Sequence, residues 1–254
     1  MSRRLIAGLA CRINGSRLYG KPLQSLGPGV SILAQIVASV RAARVPAEVV
    51  LAIAEPEENV PLRLAAAELE APYVLGDEVD VLGRLIRAAE ARGATDVLRK
   101  TTESPFLEIE GMELAWERHV ENGNDVTVVD HVPLGTAVEI YSLDALRRSH
   151  AEGRAEDRSE LVSNFARFNQ RLFQVEIVEP PEACRRPDLR LTVDYPEDLI
   201  LCRAVYAELG GSAPLIPLQE IVAFLDRRPD LTRLVADWVH DAPLWDGAPQ
   251  REPG

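Results

Sequence analysis

Leu5-Ile-Ala-Gly-Leu-Ala-Cys11 is a short apolar run that leads directly into Arg12-Ile-Asn-Gly-Ser-Arg-Leu-Tyr-Gly-Lys21. An apolar run of this length is typical of a buried strand. The segment that follows carries two glycines, which let the backbone turn tightly near a ligand, and three cations, which bind phosphate oxygens. These residues are Gly15, Gly20, Arg12, Arg17 and Lys21. The pattern predicts a first strand whose following loop binds a polyphosphate.

A P-loop is the nearest competing motif, because residues 15–21 fit its G-x-x-x-x-G-K part. The next residue of a P-loop is Ser or Thr, whose hydroxyl binds magnesium, but here it is Pro22. Proline has no hydroxyl, and it disfavours the α conformation at Lys21, where a P-loop helix would begin. A P-loop kinase is therefore disfavoured, and a basic surface loop is the plain alternative to a phosphate-binding loop.

Composition and charge narrow the class of protein. The chain has 254 residues, 46% of them hydrophobic, enough for one large α/β domain or two small ones. No apolar run reaches 18 residues, no signal-peptide pattern is present and the three cysteines are dispersed, so we expect a cytoplasmic protein that does not bind membranes. The net charge of −12 disfavours nucleic-acid binding and fits a small anionic ligand held by a local basic loop.

The first half of the chain alternates apolar runs with amphipathic stretches. Strands are predicted at residues 5–11, 48–54, 72–75 and 96–100, and helices at 32–43, 59–70 and 80–92. Such alternation predicts a parallel sheet covered by helices on both faces. Ligands of these sheets bind at the carboxyl ends of the strands, where the 12–21 loop and residues 101–105 both fall.

The second half is more mixed, and we predict no separate second domain. Strands are predicted at residues 125–130, 136–141, 173–178 and 189–193, and helices at 110–122, 143–152, 158–168 and 196–208, with two more helices within 217–238. We expect a single domain over residues 1–246, with an inserted subregion around 130–190 for dimerisation or acceptor binding. Residues 247–254 are rich in Gly, Pro and charge and are predicted to be a disordered tail.

Two acidic residues follow predicted strands and are candidate magnesium ligands. Glu103 comes shortly after residues 96–100, and Asp194 directly follows residues 189–193. Magnesium in a nucleotide site takes one or two carboxylates together with phosphate oxygens. Asp194 could instead cap the helix that begins near Pro196, and Glu103 could be an exposed loop acid. The parallel sheet favours the metal hypothesis, because it can bring these strand ends together with the basic loop.

At this point the sequence resembles a known family. Residues 12–21 resemble the A-R-x-x-S-x-R-L-P-G-K signature of sugar-activating cytidylyltransferases. These include the 3-deoxy-manno-octulosonate and acylneuraminate enzymes and the spore-coat-polysaccharide type. Four further segments are similar to patterns of the spore-coat type, in the same order. They are residues 80–84 (D-V-L-x-R), 98–105 (V-R-x-T-G-D-x-P), 133–141 (P-x-G-x-D-V-E-V-F) and 190–198 (R-L-T-V-D-T-P-E-D).

The resemblance implies a three-layer αβα nucleotidyltransferase of the glycosyltransferase-A-like type, with a mostly parallel central sheet. It also implies CTP as donor, Mg²⁺ as cofactor, pyrophosphate as leaving group and a homodimer. Carried over by position, Arg12 and Lys21 are the catalytic cations, and Glu103 and Asp194 hold the metal. The implied nucleotide-binding residues are Arg12, Asn14, Gly15, Ser16, Arg17, Lys21, Asp80, Arg84, Thr101 and Thr102. We expect the acceptor to contact Glu139, Arg158 and Arg190.

The chain departs from the family patterns at several positions. Tyr19 replaces the usual Pro, Thr102-Glu103 replaces Gly-Asp, and Ala137 replaces the Asp before Val-Glu. We interpret the chain as a cytidylyltransferase that transfers CMP from CTP to a small anionic acceptor, either a phosphonate such as phosphonoformate or a sugar acid. The alternatives are a non-catalytic nucleotide-binding regulator on the same fold and a nucleotidyltransferase acting on a sugar phosphate.

Overall fold

A mostly parallel sheet forms the centre of the protein. The structure is a computed structural model that describes residues 3–239 and 242–251. Within these residues nine strands are formed: β1 (Leu5–Cys11), β2 (Ser25–Gly27), β3 (Val30–Ser31), β4 (Glu48–Ala54), β5 (Tyr73–Gly76), β6 (Asp96–Thr101), β7 (Val126–Val129), β8 (Glu139–Ser142) and β9 (Val175–Val178). Strands β2 and β3 form a small hairpin that was not predicted, and the other seven strands form the central sheet.

The order of the strands places β1 in the interior of the sheet. The order is β5-β4-β1-β6-β8-β7-β9, and β8 runs antiparallel to both of its neighbours, while the other adjacent pairs are parallel. In the β1–β6 pair, Leu9 lies beside Lys100 and Ala10 beside Thr101. The two strands therefore end at the same edge, and the segments that follow them emerge side by side.

Helices cover both faces of the sheet. Within the described residues they are α1 (Ile32–Ala42), α2 (Val60–Glu68), α3 (Val81–Arg92), α4 (Ile109–Asn122), α5 (Leu143–Glu152), α6 (Asn164–Phe168), α7 (Pro196–Leu209), α8 (Leu218–Asp226) and α9 (Pro229–Leu234). N-cap residues define where α1 and α3 begin. The side chains of Ser31 and Asp80 accept backbone N–H groups of the first turns of these helices.

Side chains of β1 alternate between two hydrophobic cores, as expected for a strand buried on both faces. Leu9 and Cys11 belong to the core formed with α1, α4, α7 and α8, whereas Ile6 belongs to the core formed with α3, α5 and α6. The predicted three-layer α/β fold with a mostly parallel sheet is confirmed. None of the helices in the described part of the chain has the length and apolar character needed to cross a bilayer.

Three predicted elements of the second half are corrected. Residues 189–193 do not form a strand; their backbone N–H groups bond to separate loops, with Leu191 donating to Leu134 and Val193 to Glu103. The run is apolar because its side chains are buried, not because it joins the sheet. The strand predicted at 136–141 begins only at Glu139, and the helix predicted at 158–168 is reduced to α6, which follows a 3-10 turn at Ala155–Arg158.

The start of the predicted disordered tail is also corrected. The guanidinium of Arg251 donates to both carboxylate oxygens of the buried Asp157, at 2.7 and 2.8 Å. The side-chain oxygen of Gln250 accepts the backbone N–H of Gln170. Residues 247–251 are therefore held against the protein, while residues 252–254 lie outside the described residues. The inserted subregion around 130–190 and the homodimer stay predictions.

Candidate functional site

A cleft of about 580 Å³ opens at the carboxyl edge of the sheet, where β1 and β6 end. Its walls contain most of the residues that the sequence predicts for the nucleotide and the metal. They are Arg12, Asn14, Gly15, Ser16, Arg17, Lys21, Arg84, Thr101, Thr102, Glu103 and Asp194. The sheet thus brings together the basic loop, the end of β6 and Asp194, two residues before α7, which are far apart in sequence.

The loop after β1 is held in a defined shape by its glycines and by the core. Gly20 has a positive φ of 62° and donates its N–H to the carbonyl of Ile13 at 2.8 Å. At Gly15 a Cβ atom would lie 2.5 Å from the carbonyl oxygen of Leu18, so a larger residue cannot be accommodated without movement. The backbone N–H of Ile13 donates to Asn59 at 2.7 Å, which ties the loop to the start of α2.

Two cations of this loop form salt bridges across the cleft. Nζ of Lys21 donates to Oδ1 of Asp194 at 2.6 Å, and Nη2 of Arg12 donates to Oε2 of Glu160 at 3.1 Å. Both pairs are at least partly open to solvent, where ion pairs contribute little to stability. The phosphate groups of a nucleotide can therefore replace these carboxylates at low cost.

A third cation of the loop rests on an aromatic stack. The guanidinium of Arg17 lies 5.0 Å from the centre of the Tyr195 ring, within the range of a cation–π interaction. Tyr195 stacks in turn on Trp238, with ring centres 4.0 Å apart and planes 9° from parallel. Arg17 is exposed and makes no salt bridge within the described residues, so its charge is available to an anion in the cleft.

Glu103 and Asp194 fit a divalent cation. Burial alone would raise the pKa of Asp194, but hydrogen bonds from Lys21 and Arg190 outweigh it and lower that pKa. Burial, together with the nearby charge of Asp194, raises the pKa of Glu103, which makes no salt bridge in the part of the chain described. A desolvated carboxylate beside a second one is stabilised by a cation, and Mg²⁺ needs only one or two carboxylates when phosphate supplies other ligands.

No larger metal cluster is present among residues 3–239 and 242–251: no three His, Cys, Asp or Glu side chains converge as metal ligands. The remaining ligands of a metal at Glu103 and Asp194 would therefore be phosphate oxygens and water. Cys11 also lines the cleft, but burial raises the pKa of its thiol to about 12, so it is not a nucleophile at neutral pH.

Arg84 of α3, which is 2% exposed, forms part of the cleft wall. Its Nη1 donates to the carbonyl of Cys11 at 3.4 Å, and its Nε has no partner within the described residues. Thr102 donates its hydroxyl to the carbonyl of Ala10 at 3.2 Å, which joins the end of β6 to β1. These contacts place both predicted nucleotide-binding side chains in the cleft wall.

Asp80 does not line this cleft, contrary to its predicted role at the nucleotide. It caps α3, and its Oδ2 contacts Nε2 of His150 at 2.8 Å. Both residues lie in a separate cavity of about 310 Å³, which shares Arg84 with the cleft. The physical reason is the N-cap itself, since the carboxylate that receives the N–H of Gly83 is directed at the helix.

The predicted acceptor contact Arg190 is corrected by the structure. Its guanidinium is 5% exposed and donates Nε and Nη2 to the two oxygens of Asp198, at 2.7 and 2.9 Å, and Nη2 also to Asp194 at 2.9 Å. Asp198 accepts in addition the backbone N–H groups of Asp194 and Tyr195. Arg190 therefore holds Asp194 in place and is not a wall of the cleft.

The other two predicted acceptor contacts also lie outside the cleft wall. Glu139 is buried and accepts hydrogen bonds from Arg99 at 3.0 Å, from Tyr141 at 3.2 Å and from Trp245 at 2.9 Å. Arg158 ends a 3-10 turn, and its Nη2 donates to the carbonyl of Gly153 at 3.5 Å. Glu139 is committed to internal partners, and Arg158 is not among the residues that line the cleft.

Further charged residues line the cleft, and the sequence analysis did not assign Lys100 or Glu160 to the site. Arg99, Lys100 and Glu160 line the cleft. Arg99 and Lys100 directly precede Thr101 at the end of β6, so their position at a strand end was a usable signal. Glu160 follows a 3-10 turn, and no local pattern marks its approach to Arg12.

Comparisons with known proteins identify the family of the chain. A family model described as Cytidylyltransferase matches residues 9–224. The spore coat polysaccharide biosynthesis protein SpsF of Bacillus subtilis is 28% identical over 227 residues, which cover 87% of this chain and 94% of that protein.

Two solved structures share the fold. A cytidylyltransferase from Leptospira borgpetersenii superposes with a TM-score of 0.81 at 17% identity and covers 91% of this chain and 97% of its own. A CMP:2-keto-3-deoxy-manno-octonic acid synthetase complexed with CTP superposes with a TM-score of 0.62 at 16% identity, covering 81% of this chain and 99% of its own. The predicted family and the nucleotidyltransferase fold are confirmed. The chain belongs to the cytidylyltransferase family and is a CTP-dependent nucleotidyltransferase.

Proposed function

We propose that the protein transfers CMP from CTP to a small anionic acceptor, a sugar acid or a phosphonate, and releases pyrophosphate. The observation that carries this proposal is the composition of the cleft. It places the cations Arg12, Arg17 and Lys21 opposite the carboxylates of Glu103 and Asp194 around one ligand-sized space. A triphosphate needs the cations, and its metal needs the carboxylates.

The reaction is an in-line displacement. An oxygen of the acceptor forms a bond to the α-phosphorus of CTP, and the bond from that phosphorus to the bridging oxygen of the β-phosphate breaks, so pyrophosphate leaves with the bonding electron pair. Arg12, Arg17 and Lys21 neutralise the charge that develops on the phosphate oxygens. A phosphonate oxygen that is already ionised needs no general base, whereas the hydroxyl of a sugar acid must release its proton to water as the bond to phosphorus forms.

Mg²⁺ would be held by Glu103 and Asp194 and would supply further charge neutralisation on the phosphates. Before the site is loaded, Lys21 occupies Oδ1 of Asp194. A triphosphate would give Lys21 a second anionic partner, which would leave the carboxylate of Asp194 available to hold the metal. Arg190 and Asp198 keep Asp194 at the cleft while this exchange takes place.

The charge of the cleft supports an anionic acceptor. Within the described residues six cations and four carboxylates line it, although the whole chain carries a net charge of −12. An acidic protein repels anions unless cations are placed locally to receive them. The relative named for spore coat polysaccharide and the structure named for a keto-deoxy-octonic acid support a sugar-derived acceptor, and the departures at Thr102-Glu103 and Ala137 are the sequence basis for keeping a phosphonate beside it.

The test is pyrophosphate release from CTP and Mg²⁺ with a panel of sugar acids, phosphonates, sugar phosphates and neutral sugars. We expect turnover with at least one sugar acid or phosphonate, and none with neutral sugars. Lys21→Ala is the matched control, since it should lower release with every acceptor by about 10²–10³-fold. Turnover that is restricted to neutral sugars, or to sugar phosphates, would contradict the proposed acceptor class.

A further inference from the structure

Lys100 is a buried cation that the proposed chemistry has not yet used. It is the penultimate residue of β6, it is 3% exposed, and it lines the cleft. Its ammonium donates to the carbonyl oxygen of Gly135 and lies 3.5 Å from that of Ala137. Within the described residues it forms no salt bridge, so the positive charge is buried without a bonded counter-ion.

A buried ammonium without a carboxylate partner is costly. Desolvation lowers the pKa of Lys100 to about 7, which shows how poorly its surroundings stabilise the charged form. A lysine ammonium has three N–H donors, and the two carbonyls account for only two of them. An anion in the cleft would supply both the missing acceptor and the missing charge.

The two carbonyls are held firmly, so the ammonium is positioned before any ligand arrives. Gly135 has a φ of +99°, and a Cβ there would lie 2.8 Å from the backbone nitrogen of Thr192. The neighbouring Thr136 is buried and donates its hydroxyl to the carbonyl of Pro133 at 2.8 Å. Residue 137 is Ala, where the patterns that the chain resembles have Asp, so this loop offers Lys100 no carboxylate.

Lys100 is distinct from the cations that receive the triphosphate. The charged groups that act most strongly on it are Glu103, Arg99 and Glu139, and none of them belongs to the 12–21 loop. Its side chain lies on the same face of the sheet as Leu98, and its ammonium contacts the carbonyls of Gly135 and Ala137. The triphosphate has its own cations in the loop, which leaves this second cation for the other substrate.

We propose that Lys100 binds the anionic group of the acceptor and makes the enzyme prefer a charged acceptor to a neutral one. This inference rests on the proposed cytidylyl transfer. It replaces Glu139, Arg158 and Arg190, which lie outside the cleft wall, with a residue that lines it.

The experiment compares the wild type with Lys100→Met, which keeps the length of the side chain and removes its charge. Calorimetry first measures the binding of α,β-methylene-CTP with Mg²⁺, and then the binding of phosphonoformate and of 3-deoxy-manno-octulosonate to that complex. We expect at least one of these anions to bind the wild type, and Lys100→Met to weaken it about 10–100-fold, as for the loss of a charged hydrogen bond. The affinity for α,β-methylene-CTP should stay within about twofold.

Stability distinguishes acceptor binding from a purely structural role for Lys100, since a structural role predicts that Lys100→Met is less stable than the wild type. Replacing a buried, unpaired charge by an apolar side chain of similar size should leave the urea midpoint of Lys100→Met equal to or above that of the wild type. Lys100→Arg, which keeps the charge, should retain part of the acceptor affinity. A lower midpoint with unchanged acceptor binding would assign Lys100 to the scaffold and overturn the inference.

The remaining outcomes separate the inference from the proposed function. If the wild type does not bind α,β-methylene-CTP, the proposed function itself fails. If it binds the nucleotide but neither anion, or if Lys100→Met loses nucleotide and acceptor affinity equally, only the assignment of Lys100 to the acceptor is overturned.

Discussion

The loop of residues 12–21 and the segment of residues 189–198 both bring charges to the carboxyl edge of the sheet, but they use those charges differently. In the loop, Lys21 and Arg12 reach single carboxylates across the cleft, and both pairs are open to solvent. In the segment, Arg190 and Asp198 are paired with each other, only eight residues apart, and both are buried. The charges of the loop stay available to a ligand, whereas Arg190 and Asp198 of the segment bond to each other and fix the backbone.

Asp194 lies where the two regions meet, since its two carboxylate oxygens contact Lys21 on one side and Arg190 on the other. Its backbone N–H is held by Asp198. Residues 189–193 therefore present Asp194 to the cleft although they do not form a strand. The buried Arg190–Asp198 ion pair holds Asp194, two residues before α7, in place of a sheet.

The largest expected effect separates the two regions by stability. Asp198→Ala should lower the free energy of unfolding by about 3–5 kcal/mol, because it leaves Arg190 buried without its main partner. Urea unfolding measures this loss. Asp230→Ala, which removes an exposed pair with Arg228, is the control and should leave the urea midpoint nearly unchanged. Similar losses in the two variants would break the distinction between buried and exchangeable pairs.

The next effect concerns the charges of the loop. Lys21→Ala and Arg12→Ala should each lower turnover by about 10²–10³-fold, because a cation that neutralises developing charge is removed. Their urea midpoints should stay near that of the wild type, since the pairs they break are open to solvent. Steady-state pyrophosphate release measures the rate, with Arg228→Ala as the surface control. Near-wild-type rates in both variants would remove the loop from the catalytic site.

The metal distinguishes two neighbouring carboxylates. Activity should be lost in a chelator and restored by Mg²⁺, and Asp194→Asn should raise the Mg²⁺ concentration needed by about 10–100-fold. Asp198→Asn should change the metal requirement less, because Asp198 binds Arg190 and backbone N–H groups rather than the cleft. Mg²⁺ titrations of the rate for both variants settle the order. The reverse order would mean that Asp194 serves the helix and not the metal.

The smallest expected effect concerns the base of the nucleotide. CTP should be preferred over ATP and GTP by at least about tenfold in kcat/KM, which corresponds to about 1.4 kcal/mol of transition-state binding. Competing triphosphates in the pyrophosphate assay measure this ratio. Equal use of a purine triphosphate would show that the cleft walls beside the loop do not select the base.

Much of the first half could be predicted because its signals are local. Strands β1 and β4 are nearly continuous apolar runs, and glycine and basic residues mark the loop that follows β1. The carboxyl ends of parallel strands meet at one edge of a sheet, so Arg12, Lys21 and Glu103 could be predicted from the sequence to lie close together. The same rule failed at residues 189–193, where the apolar pattern reports burial against loops and not membership of the sheet.

Residue type and spacing were enough to predict the alternation of strands and helices, the candidate phosphate-binding loop, the candidate metal carboxylates and the family. Each of these depends on residue type and spacing along the chain. Only the tertiary structure decided which charges remain free, because that depends on partners distant in sequence and on burial. It turned Arg190 and Glu139 inward and paired Arg12 with Glu160, and among the residues that the structure describes it left Lys100 buried in the cleft wall without a carboxylate partner.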